Sequence, residues 1–258
     1  MVIKKFAFFY FLLLSQLQAE TLHVAVASNF SQTLQYLRAD FEQSHQVNLK
    51  ISSAASGVLY QQIQHGAPFD LFLSADKLRP QLLQQANLTV NPLPTTYAIG
   101  QLALYSAQSK SPISLDHLQQ YQGRLALANP ALAPYGQAAK ETLMSLGLWQ
   151  QYQHRLILGS NINQTLLQLD SGAVEYGFIS YNQLLETKSG FGKLIDNNYY
   201  QPIEQQMVIL KSSSVPQLAQ QFLDYMLSDK SQQILREHGY LTPHSPILVP
   251  SQHQEESP

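Results

Sequence analysis

Residues 22–64 read LHVAVASNFSQTLQYLRADFEQSHQVNLKISSAASGVLYQQIQ, and their spacing carries the fold. Leu22 to Ala27 is a short apolar run that stops at Ser28-Asn29, after which Phe30, Leu34, Leu37 and Phe41 recur at helical spacing. Val47, Leu49 and Ile51 then alternate with polar residues as a strand. The small-residue loop Ser52 to Gly57 follows, and then a helix over Val58–Gln64. His65-Gly66-Ala67-Pro68 stops that helix. Further along, Leu71-Phe72-Leu73 reads as a buried strand, Lys77–Gln85 as a helix, and Tyr97–Tyr105 as one long strand leaving this group.

A second group repeats the order: strand Leu125–Ala128, loop Asn129–Pro134, helix Gln137–Leu146, strand Leu156–Leu158 and helix Asn163–Leu169. Tyr176–Ser180 and Met207–Leu210 add strands, and Pro216–Leu227 and Lys230–His238 add terminal helices. Alternating strands and helices predict an α/β protein of mainly parallel sheets flanked by helices. Two such groups predict two lobes, each a mainly parallel sheet flanked by helices, joined by two crossover segments. The expected first lobe is residues 20–98 plus 205–249 and the second is 99–204. Residues 250–258 are expected to be a mobile tail.

Residues 1–19 read as a secretory signal peptide. Lys4 and Lys5 give a positive start, Phe6 to Leu14 an apolar stretch, and Leu17-Gln18-Ala19 a cleavage site. An apolar run of roughly ten residues is half the length of about twenty that crosses a bilayer. The expectation is therefore cleavage after Ala19 and a monomer that starts near Glu20, with no membrane insertion, in the periplasm. The chain has no cysteine, which excludes disulfides, thiolate chemistry and lipid attachment at a cysteine. With 15 basic and 17 acidic residues and no basic block, nothing is arranged to track a nucleic-acid backbone.

Four strand-to-helix junctions share a composition: Ala27-Ser28-Asn29, Ala55-Ser56-Gly57, Pro134-Tyr135-Gly136 and Asn161-Ile162-Asn163. Helix starts present unpaired N–H groups and the positive end of the helix dipole. In parallel sheets such loops gather at the carboxyl ends of the strands, so two from each lobe can meet in one cleft. Any one of them alone is an ordinary helix cap; four together predict an anion site. None contains Asp or Glu, so a ligand with a proton to donate finds no carboxylate acceptor. None contains Lys or Arg, so a buried dianion would be held by neutral donors. Sulfate, molybdate and tungstate fit that description. The 8 histidines are scattered without metal-ligand spacing, and no nucleophile elbow, Walker loop or dinucleotide fingerprint occurs. No catalytic residue, metal site or cofactor is predicted.

Several stretches resemble the periplasmic molybdate-binding proteins of ABC importers. They are Val26-Ala27-Ser28-Asn29-Phe30, Ser53-Ala54-Ala55-Ser56-Gly57 and, above all, GAPFDLFLSAD at residues 66–76. Asn129-Pro130, Ala133-Pro134-Tyr135-Gly136 and Gly177-Phe178-Ile179-Ser180 extend the resemblance to about Tyr240. It implies the two-lobed periplasmic-binding-protein fold and capture of molybdate or tungstate for a membrane permease. It also implies that Ser28, Asn29 and Ser56 are ligand donors of the first lobe and Tyr135 and Ile162 of the second. One common form of the family has Tyr where Ser180 stands. The Tyr135 hydroxyl is expected to supply that contact instead, the alternative being a ring packed over the cleft mouth. The competing readings are a sulfate or thiosulfate binder of the same fold and a secreted hydrolase.

Overall fold

A computed structural model describes residues 19–90 and 92–243. The predicted signal segment up to Gln18 and the predicted mobile tail 250–258 lie outside the described residues. The first lobe opens with β1 (Thr21–Ala27), a 3-10 turn (Ser28–Phe30), α1 (Ser31–His45), β2 (Asn48–Ala54) and α2 (Ser56–Gln64). It continues through β3 (Leu71–Leu73), α3 (Leu78–Gln85) and β4 (Thr95–Gly100). The second lobe begins with β5 (Leu102–Ser106), α4 (Asp116–Gln120), β6 (Leu125–Ala128), α5 (Pro134–Ser145) and α6 (Trp149–Tyr152). It is completed by β7 (Leu156–Gly159), α7 (Ile162–Asp170), β8 (Tyr176–Ser180), α8 (Tyr181–Glu186) and β9 (Phe191–Leu194). The chain then returns to the first lobe with β10 (Ile203–Ile209), α9 (Pro216–Leu227) and α10 (Asp229–Glu237). No helix among the described residues is long and apolar enough to cross a membrane.

The two sheets have matching orders, β2-β1-β3-β10-β4 and β7-β6-β8-β5-β9. Four strands in each run in one direction as the βαβ pattern predicts, and one, β10 or β5, runs antiparallel to both its neighbours. That exception follows from the crossings. A chain leaving one lobe at the carboxyl edge of its sheet enters the other at the same edge, so its first strand there must run the opposite way.

The expected single strand Tyr97–Tyr105 is two strands in different sheets, changing over at Gln101. Both halves are buried except at Gln101, so hydrophobic pattern alone could not reveal the change. Gly100 stands at the changeover because a Cβ there would run into the Tyr135 hydroxyl. Leu102 N–H donates to the Tyr200 hydroxyl at 3.1 Å, which places Tyr200 on the interlobe seam. Four short elements, α4, α6, α8 and β9, were not legible in the sequence. The β9 residues are exposed throughout, so no alternation marks them.

The core forms on both faces of each sheet. Phe30 at the end of the 3-10 turn and Leu34, Leu37 and Phe41 along α1 sit fully buried, and Phe41 meets Phe222 of α9 edge-on with ring centroids 4.9 Å apart. A further cluster spans the lobes, joining Ala27, Ala55 and Ala75 of the first to Ala133, Tyr135 and Ile162 of the second. Asp70 and Asp76 in the 66–76 stretch serve the backbone. Asp70 accepts from His23 N–H at 2.8 Å and Ser214 N–H at 3.2 Å, and Asp76 accepts from Arg79 N–H at 3.0 Å.

Candidate functional site

All five sequence-predicted residues line one cavity between the lobes: Ser28, Asn29, Ser56, Tyr135 and Ile162. Small apolar residues, among them Ala55, Ala75 and Ala133, fill the spaces between them. None of the five is more than 7% exposed. The cavity volume is ≈ 10 Å³, about what a single water-sized group requires. No charged side chain lines it.

The cavity's donors emerge from an accounting of three of the four helix starts, α2, α7 and α5, whose first N–H groups cannot bond within the helix. At α2, Val58 and Leu59 N–H turn back to Ala55 O, and Gly57 N–H crosses to Leu132 O at 2.9 Å, leaving the Ser56 N–H. At α7, the Asn161 side chain caps Asn163 and Gln164 N–H at 3.0 Å each, leaving that of Ile162. At α5, Pro134 at the first position has no N–H to satisfy, and the Gln137 N–H is used by Ala133 O. Tyr135 N–H is thus a first-turn donor at the cavity wall. The oriented N–H groups and dipoles of these helix starts give the cavity a positive potential without a formal charge.

Two hydroxyls at the cavity each have an N–H group within hydrogen-bond distance of the oxygen. Ser56 Oγ accepts from Ala75 N–H at 2.9 Å. Tyr135 Oη accepts from Asn29 Nδ2 at 3.5 Å. In each case an N–H group faces the oxygen's lone pair, which leaves the hydroxyl proton to be donated elsewhere. Burial pushes the Tyr135 hydroxyl well above the ordinary tyrosine value, and the nearby Tyr240, Tyr200 and Tyr97 add to the shift. It therefore stays protonated at any physiological pH. Its ring is buried inside the cleft rather than packed over the mouth.

Asn29 plays a more internal part than its sequence position suggests. Its amide donates to Gln205 Oε1 at 2.9 Å and lies 3.4 Å from the Tyr240 hydroxyl, while its carbonyl accepts from Asn182 Nδ2 at 2.9 Å and Tyr240 Oη at 3.0 Å. Tyr97 Oη donates to the same Gln205 oxygen at 3.2 Å. Sequence reasoning missed Gln205, Asn182, Tyr97 and Tyr240, which hold the donors in place from distant parts of the chain. Ser180 caps α8 and bonds to Gln183 Oε1 at 2.9 Å. It does not line the cavity.

Two α/β lobes enclosing a small, charge-free cavity lined by helix starts define a solute-binding protein of the two-lobed class. The chain belongs to the bacterial extracellular solute-binding protein family, whose model matches residues 22–241. It is 32% identical over 222 residues to the molybdate-binding protein ModA of Rhodobacter capsulatus, covering 84% of this chain and 87% of that one. It is 33% identical over 228 residues to ModA of Azotobacter vinelandii, covering 86% and 90%. The solved structure of the Azotobacter vinelandii periplasmic molybdate-binding protein superposes with a TM-score of 0.82 at 34% identity, covering 86% of this chain and 99% of that one.

Proposed function

We propose that this chain captures molybdate in the interlobe cavity and presents it to the membrane permease of an ABC importer. Ser28, Asn29, Ser56, Tyr135 and Ile162 hold the oxyanion. The observation that carries this reading is the bonding of the two cavity hydroxyls. Ser56 and Tyr135 each have an N–H group on the oxygen, which leaves both hydroxyl protons free to be donated to a ligand. With helix-start N–H groups completing the wall and no carboxylate present, the site accepts a ligand that only receives hydrogen bonds. A fully deprotonated tetrahedral oxyanion is such a ligand. Asn29 contributes by holding the Tyr135 hydroxyl and by its position in the wall. Tungstate, equal in charge and nearly equal in size, enters the same site.

The protein works in the periplasm as a monomer, exported by the signal at residues 1–19, and carries out no reaction and holds no cofactor. The similarity to the two ModA proteins supports the choice of molybdate, and the donor-only wall supports the protonation state. Calorimetry on the purified chain with molybdate, tungstate, sulfate and hydrogenphosphate tests both. Tight binding of the first two with weak binding of the others is expected. Preference for sulfate would establish the competing reading, and binding of hydrogenphosphate would overturn the donor-only wall.

A further inference from the structure

Beside the cavity, sharing Ala75 and Pro134 with it, runs a wider groove of ≈ 330 Å³ between the lobes. Arg79 is the one cation lining either space among the described residues. Its position is unusual for a basic residue near an anion site, because its guanidinium is engaged on both sides of the cleft. From the first turn of α3, Nη1 pairs with the carboxylate of Asp76. Asp76 is itself held by Ser74 Oγ at 3.1 Å and by the Arg79 N–H. Nη2 crosses the cleft and donates to Ala131 O at 3.1 Å, in the second-lobe loop that leads into Tyr135. The same nitrogen lies over Gly57, next to Ser56, where an added Cβ would come within 2.9 Å of it. Gly57 N–H meanwhile donates to Leu132 O, one residue beyond Arg79's acceptor.

We propose that Arg79 is a positioning residue that clasps the closed state: its guanidinium fastens the first-lobe donor loop to the second-lobe donor loop without touching the ligand. The inference rests on the oxyanion-capture reading above for its consequence, which is that Arg79 sets how long the ion is retained. Three features support a clasp rather than an ion-attracting charge. The charge is matched by Asp76 a salt-bridge length away, so its field at the cavity is largely cancelled. The side chain is only 14% exposed, as a group built into a contact is. Its acceptor is a main-chain carbonyl, which a planar fork anchored at one prong can reach with the other, whereas an ammonium point charge cannot hold both. Opening the lobes breaks the Arg79–Ala131 bond, so the bond contributes only to the closed state. By linkage, its loss lowers affinity by the closed state's share alone.

The absence of cysteine allows a clean test. A pair of labels at Gln62→Cys on α2 and Met144→Cys on α5, both exposed, reports the distance between lobes. Release is measured by mixing labelled, molybdate-loaded protein with excess unlabelled wild type. Arg79→Lys keeps the charge and loses the fork, and Arg79→Gln loses both. Both are expected to release molybdate about 10- to 100-fold faster, the range for one lost hydrogen bond to a charged group, with association changed by no more than a few-fold. Without ligand, both should show a longer interlobe distance at unchanged secondary structure. Wild-type release from Arg79→Lys would overturn the clasp. So would a slowed, salt-dependent association confined to Arg79→Gln, which would make the residue an attracting charge. If the wild type fails to bind molybdate, the capture reading falls. The clasp is then judged by the ligand-free distances, and it falls too if Arg79→Lys leaves them unchanged.

Discussion

At Ser56 and Tyr135 an N–H group occupies one side of the hydroxyl oxygen, which leaves the proton free for a ligand. The expected cost of Ser56→Ala is therefore about 1 to 3 kcal/mol of molybdate affinity, the range for a buried polar partner left unpaired. It is measurable by titration calorimetry. Ser28→Ala should cost about the same if its hydroxyl also donates. Replacing Lys77 should change little, because that side chain is exposed and pairs with Glu204 at 2.7 Å away from the cavity. Affinity should also be flat from about pH 6 to about pH 9, where neither serine nor a tyrosine pushed above its ordinary value titrates. A fall in affinity toward pH 9 would mean that Tyr135 ionises in the site. These residues were legible in the sequence because they sit at helix starts, where local composition carries information. Gln205, Asn182 and Tyr240 were not, since they reach Asn29 from 176, 153 and 211 residues away and nothing in their neighbourhoods marks them.

Among the elements, α2 carries a constraint that its helix propensity hides. Gly57 lies in the first turn, where alanine would favour the helix, yet an added Cβ would come within 3.0 Å of Leu132 O and 3.1 Å of its Cα in the other lobe. Gly57→Ala should leave the ligand-free melting temperature unchanged or slightly raised while weakening molybdate binding, because the backbone clash exists only with the lobes together and the nearer Arg79 Nη2 is the far end of a flexible side chain. Equal losses of stability and affinity would place the clash within the first lobe instead. Gly136, on α5, answers to a different demand: its Cβ would collide with Ala128 O inside its own lobe. At the other end of the first lobe, Asp40 of α1 accepts from Tyr225 Oη at 2.9 Å and is paired with Lys230 at 2.5 Å. Lys230 and Tyr225 lower the Asp40 value below its ordinary 3.8, and burial together with Asp40 pushes Tyr225 up to about 12. A lowered carboxylate stabilises the fold above its unfolded value and loses that contribution as pH falls through the folded one. Tyr225 contributes below its unfolded value and loses its share as pH rises through about 12. Tyr225→Phe should therefore flatten both limbs of a melting-temperature profile, the acid limb only in part because Lys230 remains. The helices were readable because one face of each is buried, and the central strands because they are short apolar runs buried on both faces. β9 and α8 were not, the first being wholly exposed and the second only six residues long.

For the whole molecule, two repeats of strand, loop and helix foretold two sheets, but not that each contains a strand entering from the other lobe. That exchange places both crossings beside the cleft, with Gly100 against Tyr135 and Tyr200 on Leu102. Closure and ligand contact are thereby coupled through Tyr135. Two lobes that contribute separate donors surround an ion fully only when shut, and ligand favours the shut state to the extent that it binds that state better. Size then discriminates. Molybdate and sulfate carry equal charge, but molybdate is larger, and donors fixed on buried helix starts cannot follow the smaller ion inward without lengthened bonds. Tyr135 bears most on this difference, since its ring is held against Gly100 and its hydroxyl beside Asn29, so the oxygen cannot advance toward a smaller ligand. Tyr135→Phe should weaken molybdate by roughly 1.5 to 3 kcal/mol, as for one lost charge-assisted bond, while sulfate, already too far from the same oxygen, loses less. The ratio of the two affinities should therefore shrink in the variant. Measuring both anions against wild type and Tyr135→Phe tests the coupling, and a wild type that binds sulfate and molybdate equally would reject size as the basis of selectivity.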